Sequence, residues 1–155
     1  MNRPLLLAGV AALVVPMAGS SQPARPVAPP RLEPVAETKL LMEGLAHPNF
    51  KAVDRRLKAE PADAEEWKLV RGQSLLLAET ANLLMIRPPK GARAEELWMG
   101  RATDLRDAAG KLARSAAAKD FAKSRQAFAG VAATCNGCHE TFRVEVRVQL
   151  TDEVK

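Results

Sequence analysis

Cys135 and Cys138 are the only cysteines in the chain, and "CNGCH" places His139 directly after the second. Two sulfur nucleophiles beside an imidazole serve four chemistries: a disulfide, a zinc site, a thiol redox centre, or c-type haem attachment. Zinc wants four ligands. The sequence offers two thiols, a His139 that cannot easily join the same tetrahedron as its neighbour, and a distant His47. A thioredoxin-like pair opens a helix after a strand, where the dipole lowers the thiol pKa, whereas this pair falls well inside a helical pattern. A disulfide between positions i and i+3 of a helix is geometrically poor and closes almost no loop. Haem attachment fits the positions. At about 100° per residue, Cys138 lies roughly 60° to one side of Cys135 and His139 roughly 40° to the other. Two thioether bonds can then hold a porphyrin edge while the imidazole reaches the iron.

Such a site needs a helix that is held by partners, and the periodicity supplies four. Trp98, Ala102, Leu105, Ala109, Leu112 and Ala116 form one apolar stripe with charged residues between them. Phe121, Phe128, Val131, Cys135, Cys138 or His139, and Phe142 repeat the spacing on the motif's own helix. An earlier helix starts at Asp63, a capping side chain with Glu66 at the third helical position, and runs through Trp67, Val70, Leu77, Ala81 and Leu84. "RPPKG" at 87–91 stops it, since Pro88 and Pro89 lack amide hydrogens and Gly91 permits a reversal. Glu95 and Glu96 sit at the positive end of the helix that follows. Asp120 is available as N-cap after a link short enough to force antiparallel neighbours. The first helix carries Leu41, Met42 and Leu45, then Phe50, Val53 and Leu57, and Pro48 between the two sets predicts a kink or break near His47. "RVEVRVQL" alternates like a strand, but with no second strand to pair it reads as a fraying helix end or a tail. The expected fold is all-α, a left-handed antiparallel four-helix bundle.

The N-terminus sets the compartment. Arg3, the apolar run "LLLAGVAALVVPMAG" and the small residues Ala18, Gly19 and Ser20 read as a secretory signal over 1–20, the run being too short for a stable membrane span. Residues 21–36, with five prolines between Gln22 and Glu37, read as an extended linker. The bundle domain is then 37–147, with a tail over 148–155. The formal charge of +5 falls by one once Arg3 leaves. Basic residues are interleaved with acids and aromatics are 4% of the chain, so no nucleic-acid stripe is visible. No Ser-His-acid or paired-carboxylate set stands out, and no distal base suggests a peroxidase, so the reading is not an enzyme.

A haem motif on the last helix of an exported bundle, here "ATCNGCHETFR", resembles cytochrome c′ and its low-spin class II cytochrome c relatives. "EELWMGRATDL" is similar to the family's habit of a tryptophan in the preceding helix, and the resemblance covers roughly residues 37 to 145. It implies one covalent haem c, with Cys135 and Cys138 as thioether anchors, His139 as proximal iron ligand, and Arg143 as a cation beside the proximal face. Arg143 follows His139 by one helical turn, which permits that role, and a solvated surface arginine is the alternative. In the low-spin branch a methionine early in the first helix is the sixth ligand, and "TKLLMEGL" puts Met42 there. Met/His ligation raises the potential and suits electron transfer. In cytochrome c′ proper an apolar residue holds that place and the iron binds nitric oxide or carbon monoxide. A core role for Met42, with Leu41 or Leu45 over the iron instead, stays open, and His47 points elsewhere on the helix. The expected protein is a periplasmic one-electron carrier working with redox partner proteins, the alternative a five-coordinate binder of small gases. A haem-free thiol redox protein is the third reading. Homodimerisation through the first two helices occurs in the family, and no residue pattern decides it here.

Overall fold

The computed structural model describes residues 31–151. The signal reading over 1–20, the linker up to residue 30 and the tail from 152 lie outside the described residues. The described end of the linker, residues 31–36, is irregular and exposed. The helices lie within a unit running from Leu32 to Lys155.

Four helices pack antiparallel, as the apolar periodicity requires. The first is a continuous rod of three parts: α1 (Thr38–Leu41), a π-helical turn (Met42–Ala46) and α2 (His47–Arg56). Then follow α3 (Ala64–Met85), α4 (Ala92–Ala117) and α5 (Phe121–Thr141). α3 packs on α2 and α4, and α4 on α5. Phe50 of α2 meets Phe128 of α5 at 4.6 Å between ring centroids, and Arg125 donates to the Leu57 carbonyl at 3.2 Å, so the first rod also reaches the last helix. Val53, Val70, Leu77, Ala81, Ala109, Leu112 and Val131 are at or near zero exposure at the centre. They are the stripe positions of all four helices, which is why one core suffices.

Pro48 does not break the first helix. The His47 N–H reaches back five residues to the Met42 carbonyl, and α2 restarts with Pro48 in its first turn. The widened π turn relieves the clash between a proline ring and the carbonyl four residues earlier, and it absorbs the missing donor without ending the rod. Asn49 Nδ2 donates to the Leu45 carbonyl at 2.7 Å, satisfying an acceptor inside the turn. The expected disturbance near His47 is therefore a helical bulge, and the helix does not break there.

The other boundaries follow local chemistry. Asp63 accepts from the Glu66 N–H at 2.9 Å to cap α3, and Asp120 accepts from the Lys123 N–H at 3.0 Å to cap α5. The Lys123 ammonium and N–H hold the Asp120 carboxyl below the usual carboxylate range. Gly91 turns the chain at φ 104°, a left-handed value that strains other residues. α4 and α5 both end in Schellman turns, although neither has a glycine there. Lys119 (φ 54°) and Arg143 (φ 55°) take the left-handed position. In the second turn the Val144 N–H reaches the His139 carbonyl at 2.8 Å and the Arg143 N–H reaches Glu140 at 3.2 Å.

That second turn sends residues 144–150 back along the bundle. They form neither a helix nor a strand, yet they do not fray: Val148 and Leu150 pack against the core. Thr151 is bonded through its N–H and hydroxyl to the buried carboxylate of Asp54 in α2. Side-chain anchors hold the strap, and no strand pairs with it among the described residues.

Two stability outcomes follow. Lys119→Gly removes left-handed strain and raises unfolding stability by about 1 kcal/mol, read from the urea midpoint; a lower midpoint contradicts the Schellman assignment. Leu112→Ala, at full burial, costs about 3 kcal/mol; a loss under about 1 kcal/mol would contradict a single tight core.

Candidate functional site

Helical phase brings Cys135, Cys138 and His139 to one face of α5 just before its end, all half-buried, with both thiols free. Burial pushes the Cys135 thiol up to about 11, and the neighbouring Cys138 adds to the shift. Burial also raises Cys138, and the positive charge of Arg101 pulls it part of the way back. A thiol redox centre needs the opposite shift. Among the described residues no group of three or more His, Cys, Asp or Glu side chains is placed to hold a metal ion, so the zinc reading gains no ligand set.

The imidazole is oriented. His139 Nδ1 lies 2.7 Å from the Val146 carbonyl oxygen of the strap. A carbonyl only accepts, so Nδ1 carries the proton, and in the neutral ring Nε2 presents its lone pair. Asn136, between the two cysteines, grips the strap twice: its Nδ2 donates to the Val148 carbonyl at 2.9 Å and its Oδ1 accepts from the Val148 N–H at 2.8 Å. No periodic pattern announces this clamp, because its partners are separated by a turn and joined through a side chain.

Arg101 of α4 is the cation found against the motif. Its Nε donates to Thr141 Oγ1 at 3.1 Å, and its guanidinium lies over Gly137, where an added Cβ would make ordinary contact with Nη1 at 3.4 Å. Thr141 donates in turn to the Gly137 carbonyl at 2.7 Å. Arg143 is exposed and lies beyond the helix end in the left-handed turn, so the helical spacing from His139 does not carry through to it. Trp98 donates from Nε1 to the Leu84 carbonyl at 2.7 Å and meets Phe142 edge-on at 5.1 Å, tying α3, α4 and the end of α5 together.

Met42 opens the π turn, half-buried at the edge of the core; Leu41 is buried, Leu45 half-buried and His47 exposed. The contacts of Phe50 with Phe128 and of Leu57 with Arg125 fix the antiparallel register of the first rod against α5. Counting equal rises back along one helix and forward along the other sets Met42 at about the level of residues 136–140. Methionine and motif thus share one end of the bundle.

Fold and site define a class: an all-α antiparallel four-helix bundle with a paired-thiol and imidazole site on its last helix. Within that class, residues 93–143 match the family model described as Cytochrome C′, a span that takes in nearly all of α4, the whole of α5 and its terminal turn. Over those two helices the chain is similar to that family. No curated protein matches the chain.

The thiol environment makes a direct prediction. A raised pKa means that the reactive thiolate appears only as pH rises, and for Cys135 it is about one part in a thousand at pH 8. Alkylation of Cys135 in the haem-free chain by iodoacetamide, followed by peptide mass mapping, is therefore slow at neutral pH and accelerates up to about pH 11. A fast, flat profile from pH 6 to 8 would restore the thiol redox reading.

Proposed function

We propose that the protein is an exported c-type cytochrome that carries one electron on a single haem c. The observation that carries this reading is the shared face of α5, where two protonated thiols flank an imidazole whose Nε2 is kept available by the bond at Nδ1. The donor set fits the group. Each thiol can add across one vinyl group of the macrocycle, the S–H bond giving one S–C and one C–H bond with no net oxidation, so free, buried, protonated sulfur is what the attachment uses. His139 Nε2 would hold the iron, and an iron porphyrin bound there would supply a one-electron couple.

Met42 is the proposed sixth ligand, supported by its level along the bundle and by its place in a π turn, a bulge that recurs at functional sites. A thioether opposite an imidazole raises the potential, which suits a carrier. Arg101 supplies positive charge beside the thioether anchors, and Arg143 a second, exposed charge at the end of the helix. Trp98 and Phe142 close the end of the bundle against water. The protein carries electrons between redox partner proteins rather than turning over a substrate. No helix among the described residues is long and apolar enough to cross a membrane, which is compatible with a periplasmic location after removal of residues 1–20.

The second reading, a five-coordinate binder of nitric oxide or carbon monoxide, draws support from Leu41 and Leu45, apolar side chains next to Met42 that would line the distal side if the thioether turned into the core. Absorption spectra of the holoprotein separate the two. The carrier gives low-spin ferric and ferrous bands with no response to carbon monoxide, and Met42→Leu turns them high-spin and carbon monoxide-reactive. Unchanged bands in Met42→Leu would remove Met42 as a ligand, and a high-spin wild type that takes up carbon monoxide would establish the gas binder.

A further inference from the structure

The strap after α5 touches the motif at the one atom that would tune its metal. Val146 receives the His139 Nδ1 proton, Asn136 holds Val148 at both its N–H and its carbonyl, and Asp54 holds Thr151. Only one residue, Arg147, separates the carbonyl that orients the imidazole from the residue that Asn136 clamps. Val146 is itself an exposed residue on an irregular segment, and the clamp at Val148 is the side-chain anchor nearest to its carbonyl, which lies 2.7 Å from the half-buried ring. An imidazole that donates from Nδ1 to a carbonyl is a more basic ligand at Nε2, and its ring plane is fixed.

We propose that Asn136 is a positioning residue for the proximal ligand: through its two bonds to Val148 it seats the C-terminal strap so that the Val146 carbonyl fixes the tautomer and donor strength of His139. The strap is then part of the iron site rather than a terminal overhang. Its far anchor is Asp54 on α2, so the same segment links the helix that carries the imidazole to the rod that carries Met42. This inference rests on the haem reading for its consequence at the metal. The hydrogen-bond geometry itself belongs to the chain.

The test uses the full chain in two states. In the haem-free protein, nitrogen NMR of His139 is expected to show a protonated Nδ1 and an unprotonated Nε2. Asn136→Ala should shift the ring toward the Nε2-protonated tautomer that free imidazole side chains favour, as should a chain ending at Val144. In the haem-loaded protein, with Met42→Leu as background so that the ferrous iron is five-coordinate, resonance Raman should show the iron–histidine stretch falling in frequency in Asn136→Ala. The reduction potential should rise, because a weaker donor stabilises the ferric state less. Asn136 is none of the three attachment groups, so haem content should not change. The stop after Val144 leaves every helix intact and serves where the alanine variant is unstable. A wild-type ring protonated at Nε2, or a tautomer, stretch and potential indifferent to both variants, overturns the proposal. A chain that takes up no haem would overturn the haem reading instead, and the NMR arm would still judge the strap.

Discussion

The site depends on the helical phase between residues 135 and 139. Two thiols and an imidazole meet one flat macrocycle only if α5 stays regular through those positions, since one residue of slippage turns a side chain by about 100°. Regularity near a helix end is not free, because the last four carbonyls lose their partners. Here the Schellman turn at Arg143 returns hydrogen bonds to His139 and Glu140, and Thr141 bonds the Gly137 carbonyl. At the other end Asp120 caps the first turn. Along its length α5 is braced by α4, and Arg101 reaches across from α4 to Thr141 beside the motif.

The first rod faces a different demand. It must bring Leu41, Met42 and Leu45 to the motif end while carrying Phe50, Val53 and Leu57 to the opposite end, with Pro48 in between. A regular α-helix would clash at Gly44, and a broken one would lose the common register set by Phe50 and Phe128. The π turn keeps the axis continuous and shifts the phase of everything before it. Met42 is its first residue, so the bulge sets the phase of Leu41 and Met42 relative to the helix that follows.

Most of the helical framework was legible. The stripe from Trp98 to Ala116 is buried except for the half-buried Trp98, the caps at Asp63 and Asp120 bond as their residue types suggest, and Gly91 makes the reversal after "RPPKG". Local chemistry wrote these features, so local reading recovers them. The strap was not legible, because an alternating "RVEVRVQL" points to a strand partner and the actual partners are Asn136, His139 and Asp54, side chains with no periodic trace. Arg101 was missed for a similar reason: its partners, Thr141 and Cys138, lie on another helix. The π turn was half-read, since proline announces a disturbance and does not say whether the helix ends or widens.

The account is tested most directly by the intact mass of the protein exported by a host that matures c-type cytochromes. A polypeptide heavier by one haem, with the added mass retained through denaturation and mapped to the peptide holding Cys135 and Cys138, is the result predicted. Bare polypeptide with two free thiols, from a host that loads a control cytochrome, would contradict it.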